Sequence, residues 1–572
     1  MEIGVFSGLL GLMLVLGFAA ARWRQPSSIH SLEEWGVGGR AFGNWTTWFL
    51  LGGSMFTAYT FVAVPALTYG VGAMGFFAIP FAILTTPLAY LLSTRIWSVA
   101  HARGYVTPAE FVRDRFGSRG LAAMVAVTGI VATMPYVAVQ LIALQAVFKT
   151  LGIAGDWPLV ISIAMISIST FRSGLRAPAL LSIAKDVLLI WVVLSAVLIV
   201  AMSGGWGATF DAASTWFSRT PSPADGITLG GRAGEIGYVS IIVGSALSIF
   251  AYPHAITGIL AAKDRATVQR NTAALPIYAL ALGLMGMLGF FAISKGVLPV
   301  GGDLNTVTPQ MFHKLFPAWS AGVAYAALGV AALIPAAVMS ISAANLFTRS
   351  IYKEYLRPEA TPREEARVSR WASLVVKFGA VLFILFVNPQ YSAELQLIGG
   401  AVVLQTIPAV FIGLMTRWFH RYALAAGLIV GLGFSIGLLY RIPDYAVTGL
   451  PVPGSHFGGA SWPLANWGFP TTATVYVGVL ALALNLAIVV VGSLVLQLVG
   501  VRGGSDDIEA ADFQADSDDP TLKRLDGLLD GLPSQPVGAH EAGAFGYAPA
   551  VDSAGRVLPS ASAAVRRRAT MR

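Results

Sequence analysis

Two stretches of this sequence hold groups that can do chemistry in an apolar setting. The first is Lys185-Asp186, inside the run of apolar and small residues from Pro178 to Ser203. An ionisable side chain at mid-helix in a membrane costs at least about 2.5 kcal/mol, so its presence points to a task. Burial lowers a lysine's proton affinity, and such an ammonium gains and loses a proton. The other readings of Lys185 are a permanent pair with an acid such as Asp186, or a stem that carries the charge to water. The second stretch is Gly52-Gly53-Ser54-Met55-Phe56-Thr57, in the middle of the apolar run from Trp45 to Tyr69. Adjacent glycines and a serine weaken a helix. A break there frees backbone groups, which lipid tolerates only where they line a protected or watery cavity, and half-helix ends at that depth bind ions and small polar solutes. The competing reading is that the glycines let a neighbouring helix approach closely.

Other chemistries are excluded by residue type. The chain has no cysteine, so thiolate nucleophiles, thiolate metal sites and disulfides are ruled out. An enzyme would need a nucleophile with its base or a metal cluster, and the chain has neither a cysteine nor a His-Glu-x-x-His pattern. The formal charge of +8 does not mark a nucleic-acid partner, because the arginines lie in short loops between apolar runs and act as topology signals.

The elements that must position these residues are membrane spans. With 56% hydrophobic and 12% charged residues, the 572-residue chain repeats runs of the length that crosses a bilayer. It reads as an all-α polytopic membrane protein with thirteen transmembrane helices, near 3–21, 45–69, 74–98, 120–149, 157–171, 178–203, 237–261, 273–296, 321–348, 371–387, 394–416, 422–440 and 473–499. Arg40, the cluster from Arg95 to Arg119, Arg172, Arg176, Lys263 to Arg270, Arg349 to Arg370, Arg417 and Arg421 fall on one side of the bilayer. The other side has Lys149, Arg219, Arg232, Lys295, Lys314 and Arg441. By the positive-inside rule the N-terminus is outside and the C-terminus cytoplasmic, in a cell inner or plasma membrane.

Depth arithmetic then gathers the unusual residues. Gly53, Lys185, Ser340 and Pro253-His254 each lie about 12 Å from the arginine-rich side, at about 1.5 Å per helical residue. The span at 45–69 opens one set of five and the span at 237–261 opens another; five is odd, so the sets are inverted. The second set has its own interruption at Ala251-Tyr252-Pro253-His254, where proline removes a backbone donor. The expected organisation is 1–44, an extra helix and loop; 45–203, the first repeat; 204–236, an outer loop; 237–417, the second repeat; 418–500, peripheral helices with an outer loop; and 501–572, a disordered cytoplasmic tail, acidic at first and ending in Arg566-Arg567-Arg568.

Several short motifs together carry a resemblance. Gly38-Gly39-Arg40, Tyr105-Val106-Thr107-Pro108-Ala109-Glu110-Phe111 with Arg113-Asp114-Arg115-Phe116, Pro253-His254 with Ala261-Ala262-Lys263, and Ala336-Ala337-Val338-Met339-Ser340 resemble the sodium:solute symporter family over about residues 30–440. Gly174 to Leu180 with Lys185-Asp186, and Gln405-Thr406-Ile407-Pro408-Ala409, are most similar to its monocarboxylate permease branch. The resemblance implies an amino-acid-transporter-like 5+5 inverted repeat with the first helix of each repeat broken, alternating access, no cofactor beyond a coupling ion, H+ or Na+, and a small carboxylate such as pyruvate, lactate, acetate or propionate as substrate. Beyond that solute and the lipid bilayer no partner is implied, and no oligomeric state.

Carried over residue by residue, the family's sodium site falls on Gly53 and Phe56 in the broken helix and on Ala337, Ser340 and Ile341 in the later one. Ile341 departs from the pattern, since a hard cation wants oxygen ligands and isoleucine has none. Met55 stands where the proline-transporting members have aspartate. Lys185 is the candidate to fill the gap, its ammonium near the Gly53 carbonyl and Ser340, which makes transport proton-coupled or sodium-independent. For the substrate carboxylate the candidates are the N–H groups from Gly53 and Ser54 to Thr57, with Thr57, Tyr59, Tyr136, Gln140, Ser245 and Tyr252 adding hydrogen bonds. His254 is expected to satisfy a carbonyl freed by its proline kink, Gln405-Thr406 to satisfy another kink or line an inner gate, and Lys377 to face a neighbouring helix or snorkel. The alternatives are a sodium-coupled symporter of another small solute such as an amino acid, and a transporter-like sensor, for which the polar tail supplies no signalling domain.

Overall fold

The computed structural model describes residues 1–20, 31–153, 155, 157–219, 226–386, 392–444 and 452–516. The end of the chain from residue 517, including the terminal arginines singled out above, lies outside the described residues. Among the described residues nine helices are long and apolar enough to cross a membrane, ten if the pair Ser392–Thr406 and Pro408–Met415, bent by 41°, is one span. The other three expected spans are helical but interrupted, shorter or partly charged. They are Asn44–Gly53 followed by Tyr59–Val71, Trp157–Ser173, and Pro362–Phe386 with its acidic first turn.

The helix Ala318–Phe347 runs through the middle and is buried along the whole of its apolar stretch. Its alanines, glycines and serines permit this, because small side chains let backbones pack closely where lipid supplies no hydrophobic drive. Around it stand Glu2–Ala20, Arg119–Thr150, Arg176–Met202 and Pro362–Phe386. On Arg176–Met202 one face, with Val187, Ile190, Leu194 and Leu198, is exposed as a lipid-facing stripe would be, while Lys185, Asp186, Leu189, Val192 and Ala196 are buried. The charged pair therefore looks into the protein.

The first interruption is where the sequence puts it. Asn44–Gly53 is α-helical, Ser54–Thr57 is not, and the chain resumes with a wide turn at Tyr59–Ala63 before the helix Val64–Val71. The Ser54 hydroxyl donates to Leu51 O at 2.5 Å, and the Met55 and Phe56 N–H groups both close onto Gly52 O at 2.9 Å, which ends the helical ladder. Gly52 also serves packing. A Cβ there would sit 2.0 Å from the Tyr278 ring, which is wedged between Trp48 and Phe56 with centroids 5.0 and 4.7 Å away. Both readings of the glycine pair thus hold at once. The second interruption is Tyr252, extended at φ −62°, ψ 135°, between Arg232–Ala251 and Pro253–Leu260.

The two broken helices are joined at one end. Phe42, just ahead of the first, takes Ala261 O at 3.1 Å through its N–H and accepts Lys263 N–H at 3.0 Å, just past the end of the second. The start of one lies beside the finish of the other, so these halves run in opposite directions. The approach to Phe42 is fixed by Gly38 and Gly39, left-handed at φ 63° and 66°, and the Arg40 that follows holds φ 51° while bonding Glu33 and the Tyr105 carbonyl.

At the far end of the molecule the expected loop 441–472 contributes the strand Ser461–Pro463, paired antiparallel with Thr474–Tyr476. The loop 204–236 carries the helix Gly205–Phe217. One expectation is corrected on the arginine-rich side. The start of the segment read as a disordered tail is ordered as far as Asp516: Ile508 and Phe513 are buried and Asp506 and Asp512 meet arginines of the core. Composition made this segment look solvated, but its charges are matched by loops distant in sequence.

The Gly52 contact gives a first test. Gly52→Ala displaces the Tyr278 ring and is expected to destabilise the protein by about 1–3 kcal/mol, seen as a lowered Tm in detergent. Gly43→Ala, where an added Cβ meets nothing within 4 Å, is expected to stay within about 0.5 kcal/mol of the parent.

Candidate functional site

The site is assembled from the elbow of the first broken helix and the buried face of Arg176–Met202. Lys185 Nζ donates to Phe56 O at 2.6 Å and to Gly53 O at 3.1 Å, two carbonyls the helix break leaves without ladder partners. The same nitrogen lies 2.9 Å from Asp186 Oδ1, and both side chains are fully buried. Tyr278 OH donates to the other carboxylate oxygen, Oδ2, at 2.8 Å. The charge is thus neutralised and hydrogen-bonded on several sides, which is the condition for burying an ion pair at all. The pairing reading of Lys185 and the carbonyl-bound reading describe one arrangement, and the snorkelling reading is excluded by the direction of the stem.

Gly53 is held against this amine, with a notional Cβ 3.0 Å from Lys185 Nζ. Of the other residues assigned to the coupling site, Ala337 and Ser340 are buried on the central helix, and the Ser340 hydroxyl donates to Ala336 O at 2.6 Å within its own helix. The structure therefore brings Gly53, Phe56 and Lys185 together, while the Ser340 hydroxyl keeps to its own turn.

Most of the backbone N–H groups expected to meet a carboxylate are taken. Those of Ser54, Met55 and Phe56 turn back onto Leu51 and Gly52 carbonyls. The Ala58 N–H goes to Gln140 Oε1 and the Tyr59 N–H to Thr57 Oγ1, both at 3.2 Å, and the Thr60 hydroxyl caps Met55 O. Short polar side chains in and around the break complete the backbone bonding that the break undid.

Open polar capacity lies instead on side chains. Tyr136, Tyr252 and His254 cluster with centroids 5.0 to 5.5 Å apart. Tyr252 OH donates to Gln396 O at 2.9 Å. Tyr59 OH, Gln140 Nε2, Ser245 Oγ, both His254 ring nitrogens and both ends of the Gln396 amide are buried without a hydrogen-bond partner among the described residues. Native interiors rarely leave such groups unpaired unless a ligand or water completes them. His254 thus does not satisfy the carbonyl freed by its kink. It borders a narrow cleft with Gly53, Ser54, Ser182, Pro335 and Val338, with about 10 Å³ of free volume. A second cleft of about 40 Å³ runs from Ser54 and Met55 between the helices that carry Thr85 and Ser93, Phe250 and Ile259, and Thr272.

Three contributors escaped the sequence reading. Tyr278 gave no signal, because a tyrosine in an apolar run is ordinary. Gln396 and Glu394 sit at the edge of the span expected at 394–416, and an acid at that place was the cue available. Gln405 proves to be a satisfied kink, donating to Ala401 O at 3.0 Å and receiving Asn485 Nδ2 on its carbonyl at 2.9 Å. Lys377 faces a neighbouring helix and reaches Thr170 Oγ1 at 3.4 Å.

Comparison with known proteins places this geometry. The model of the sodium:solute symporter family matches residues 35–431. The monocarboxylate transport permease protein of Rhizobium johnstonii is 42% identical over 490 residues, 86% of this chain and 96% of that protein. The sodium/proline symporter of Escherichia coli is 23% identical over 437 residues, 73% of this chain and 84% of that protein. Among solved structures, the substrate-bound outward-open state of a Na+-coupled sialic acid symporter shares the fold with a TM-score of 0.65 at 15% identity, over 88% of this chain and 99% of that one.

The ion pair is testable without any substrate. Asp186→Ala strands a buried ammonium and is expected to cost about 3–5 kcal/mol, while Tyr278→Phe, which removes one bond to a charged group, is expected to cost about 1.5–3 kcal/mol. Thermal unfolding in detergent reads both, and an Asp186→Ala protein that melts like the parent would rule out a charged pair.

Proposed function

The chain belongs to the sodium:solute symporter family, and from that premise we propose that it is a secondary active transporter of small monocarboxylates, of the pyruvate, lactate, acetate and propionate class, working by alternating access through a 5+5 inverted repeat. The 42% identical relative, named a monocarboxylate transport permease protein, supports the substrate class. The arginine-rich end is the cytoplasmic one by the positive-inside rule, with the N-terminus outside.

The observation that carries the coupling is the Lys185 ammonium on the Gly53 and Phe56 carbonyls. A positive group already occupies the oxygens that a sodium ion would use, Ile341 adds no side-chain oxygen and Ser340 bonds inside its helix. Transport is then proton-coupled or sodium-independent. Protonated, Lys185 ties the broken helix to Arg176–Met202; neutral, it donates more weakly, and the elbow is freer to move. The carboxylate is recognised by the unpaired donors beside the elbow, Gln140 Nε2 and Tyr59 OH, with Ser245 and the Tyr136, Tyr252 and His254 cluster forming the wall.

The second reading, a sodium-coupled symporter of another small solute, is favoured by the name of the proline-transporting relative. Uptake of radiolabelled pyruvate, acetate and propionate into proteoliposomes, with sodium and pH gradients imposed separately, distinguishes the two. Acid outside is expected to drive uptake with no response to sodium. Lys185→Ala is expected to lower the pH-driven rate by about tenfold or more, the scale of losing one charge-assisted interaction. A strict sodium requirement in the parent protein would replace this reading with the second.

A further inference from the structure

The segment from Ser505 to Asp516 lies across four elements of the arginine-rich end. Asp506 Oδ2 is 2.9 Å from both Arg115 Nη1 and Arg417 Nε, so one carboxylate bridges the helix Pro108–Phe116 and the loop after Met415. Asp512 Oδ2 meets Arg103 Nη2 at 2.7 Å, at the end of the helix Ala78–Arg103. Asp516 Oδ1 accepts the Arg265 N–H at 3.1 Å, where the next helix begins. Between them the Phe513 ring packs under Arg95, 4.8 Å from its guanidinium, and 5.4 Å from that of Arg115. Main-chain contact adds to this, since Asp507 N–H takes Asp114 O at 3.0 Å and Gly504 passes so close to Phe116 O that a Cβ would sit 1.8 Å from it.

Two of these anchors belong to helices that both line the larger cleft and pack against each other. Thr85, Ala89 and Ser93 line it from the helix that ends at Arg103, and Thr272 and Leu275 line it from the stretch that begins at Arg265. Asp512 holds the first and Asp516 the second, four residues apart in the same segment. Separation of these two helices at this end stretches or breaks one of the two contacts. Burial works against the Arg115 charge, and Arg417 and Arg95 add to that, while Asp506 opposes them. The carboxylate is what makes the arginine cluster tolerable.

We propose that residues 505–516 form an electrostatic latch that restrains opening of the cleft at the arginine-rich end and so limits how often the site faces that side. The latch rests on the alternating-access reading for its role, but its test needs no substrate and no assumed coupling ion. Contacts between partly exposed charges weaken as salt shortens their range, so the latch loosens with ionic strength.

The absence of cysteine allows a clean reporter. In full-length Ser93→Cys protein, the rate of alkylation by a membrane-impermeant maleimide measures access to the cleft. Adding Asp506→Asn and Asp512→Asn is expected to raise that rate about three-fold or more, from the loss of the ion pairs with Arg103, Arg115 and Arg417. The protein with the intact latch is expected to approach the same rate when salt rises from about 0.05 to 0.5 M, where the screening length falls to a few ångströms. The swap Arg103→Asp with Asp512→Arg is expected to restore slow labelling, which damage to the fold would not do. Equal rates with and without the aspartates, or an identical salt response in both, would overturn the latch and leave the transport reading untouched.

Discussion

A single fully buried ammonium organises this structure. Lys185 can exist in its place only because three sets of oxygens converge on it: two carbonyls released by a broken helix and a carboxylate on the next residue. Each condition constrains another part of the chain. The helix must stop near Gly53 to present the carbonyls, Asp186 must be oriented by Tyr278, and Gly52 must lack a side chain for Tyr278 to reach it. A charge in a low-dielectric interior is costly unless such conditions are met together, so the amine and the break are one feature.

The unpaired groups have the opposite logic. Around the amine the N–H groups of Ser54, Met55, Phe56, Ala58 and Tyr59 are satisfied, yet the adjoining wall keeps Tyr59, Gln140, Ser245, His254 and Gln396 with open side-chain hydrogen-bonding capacity. Buried polar groups left open beside a layer so largely paired are the exception in a protein interior. The open polar capacity near the break thus lies mainly on side chains, where a substitution changes the wall without unmaking the backbone bonding of the elbow.

What the sequence revealed was local, and what it concealed was long-range. The interruption at 52–57, the proline break at 252–253 and the misplaced lysine all announce themselves by residue type within a few positions. The N–H groups of the break look available in the sequence because Ser54 and Thr57 read as ligands, yet together with Thr60 these side chains bond the backbone of the elbow, and Gln140 arrives from a helix far along the chain. Tyr278 could not be distinguished from other tyrosines until its partner 92 positions away was known. The acidic segment after Gly500 was legible as charge but not as contact, since its complement is spread over Arg103, Arg115 and Arg417.

The seam at Phe42 has a consequence of a different kind. Its two bonds to Ala261 and Lys263 run between main-chain atoms, so they are indifferent to the identity of the side chains around them. A substitution among the side chains around it, Lys185 included, removes neither bond of this stitch. The neighbouring halves of the two interrupted helices are thereby coupled through main chain alone, which separates what joins them from the side-chain chemistry that surrounds them.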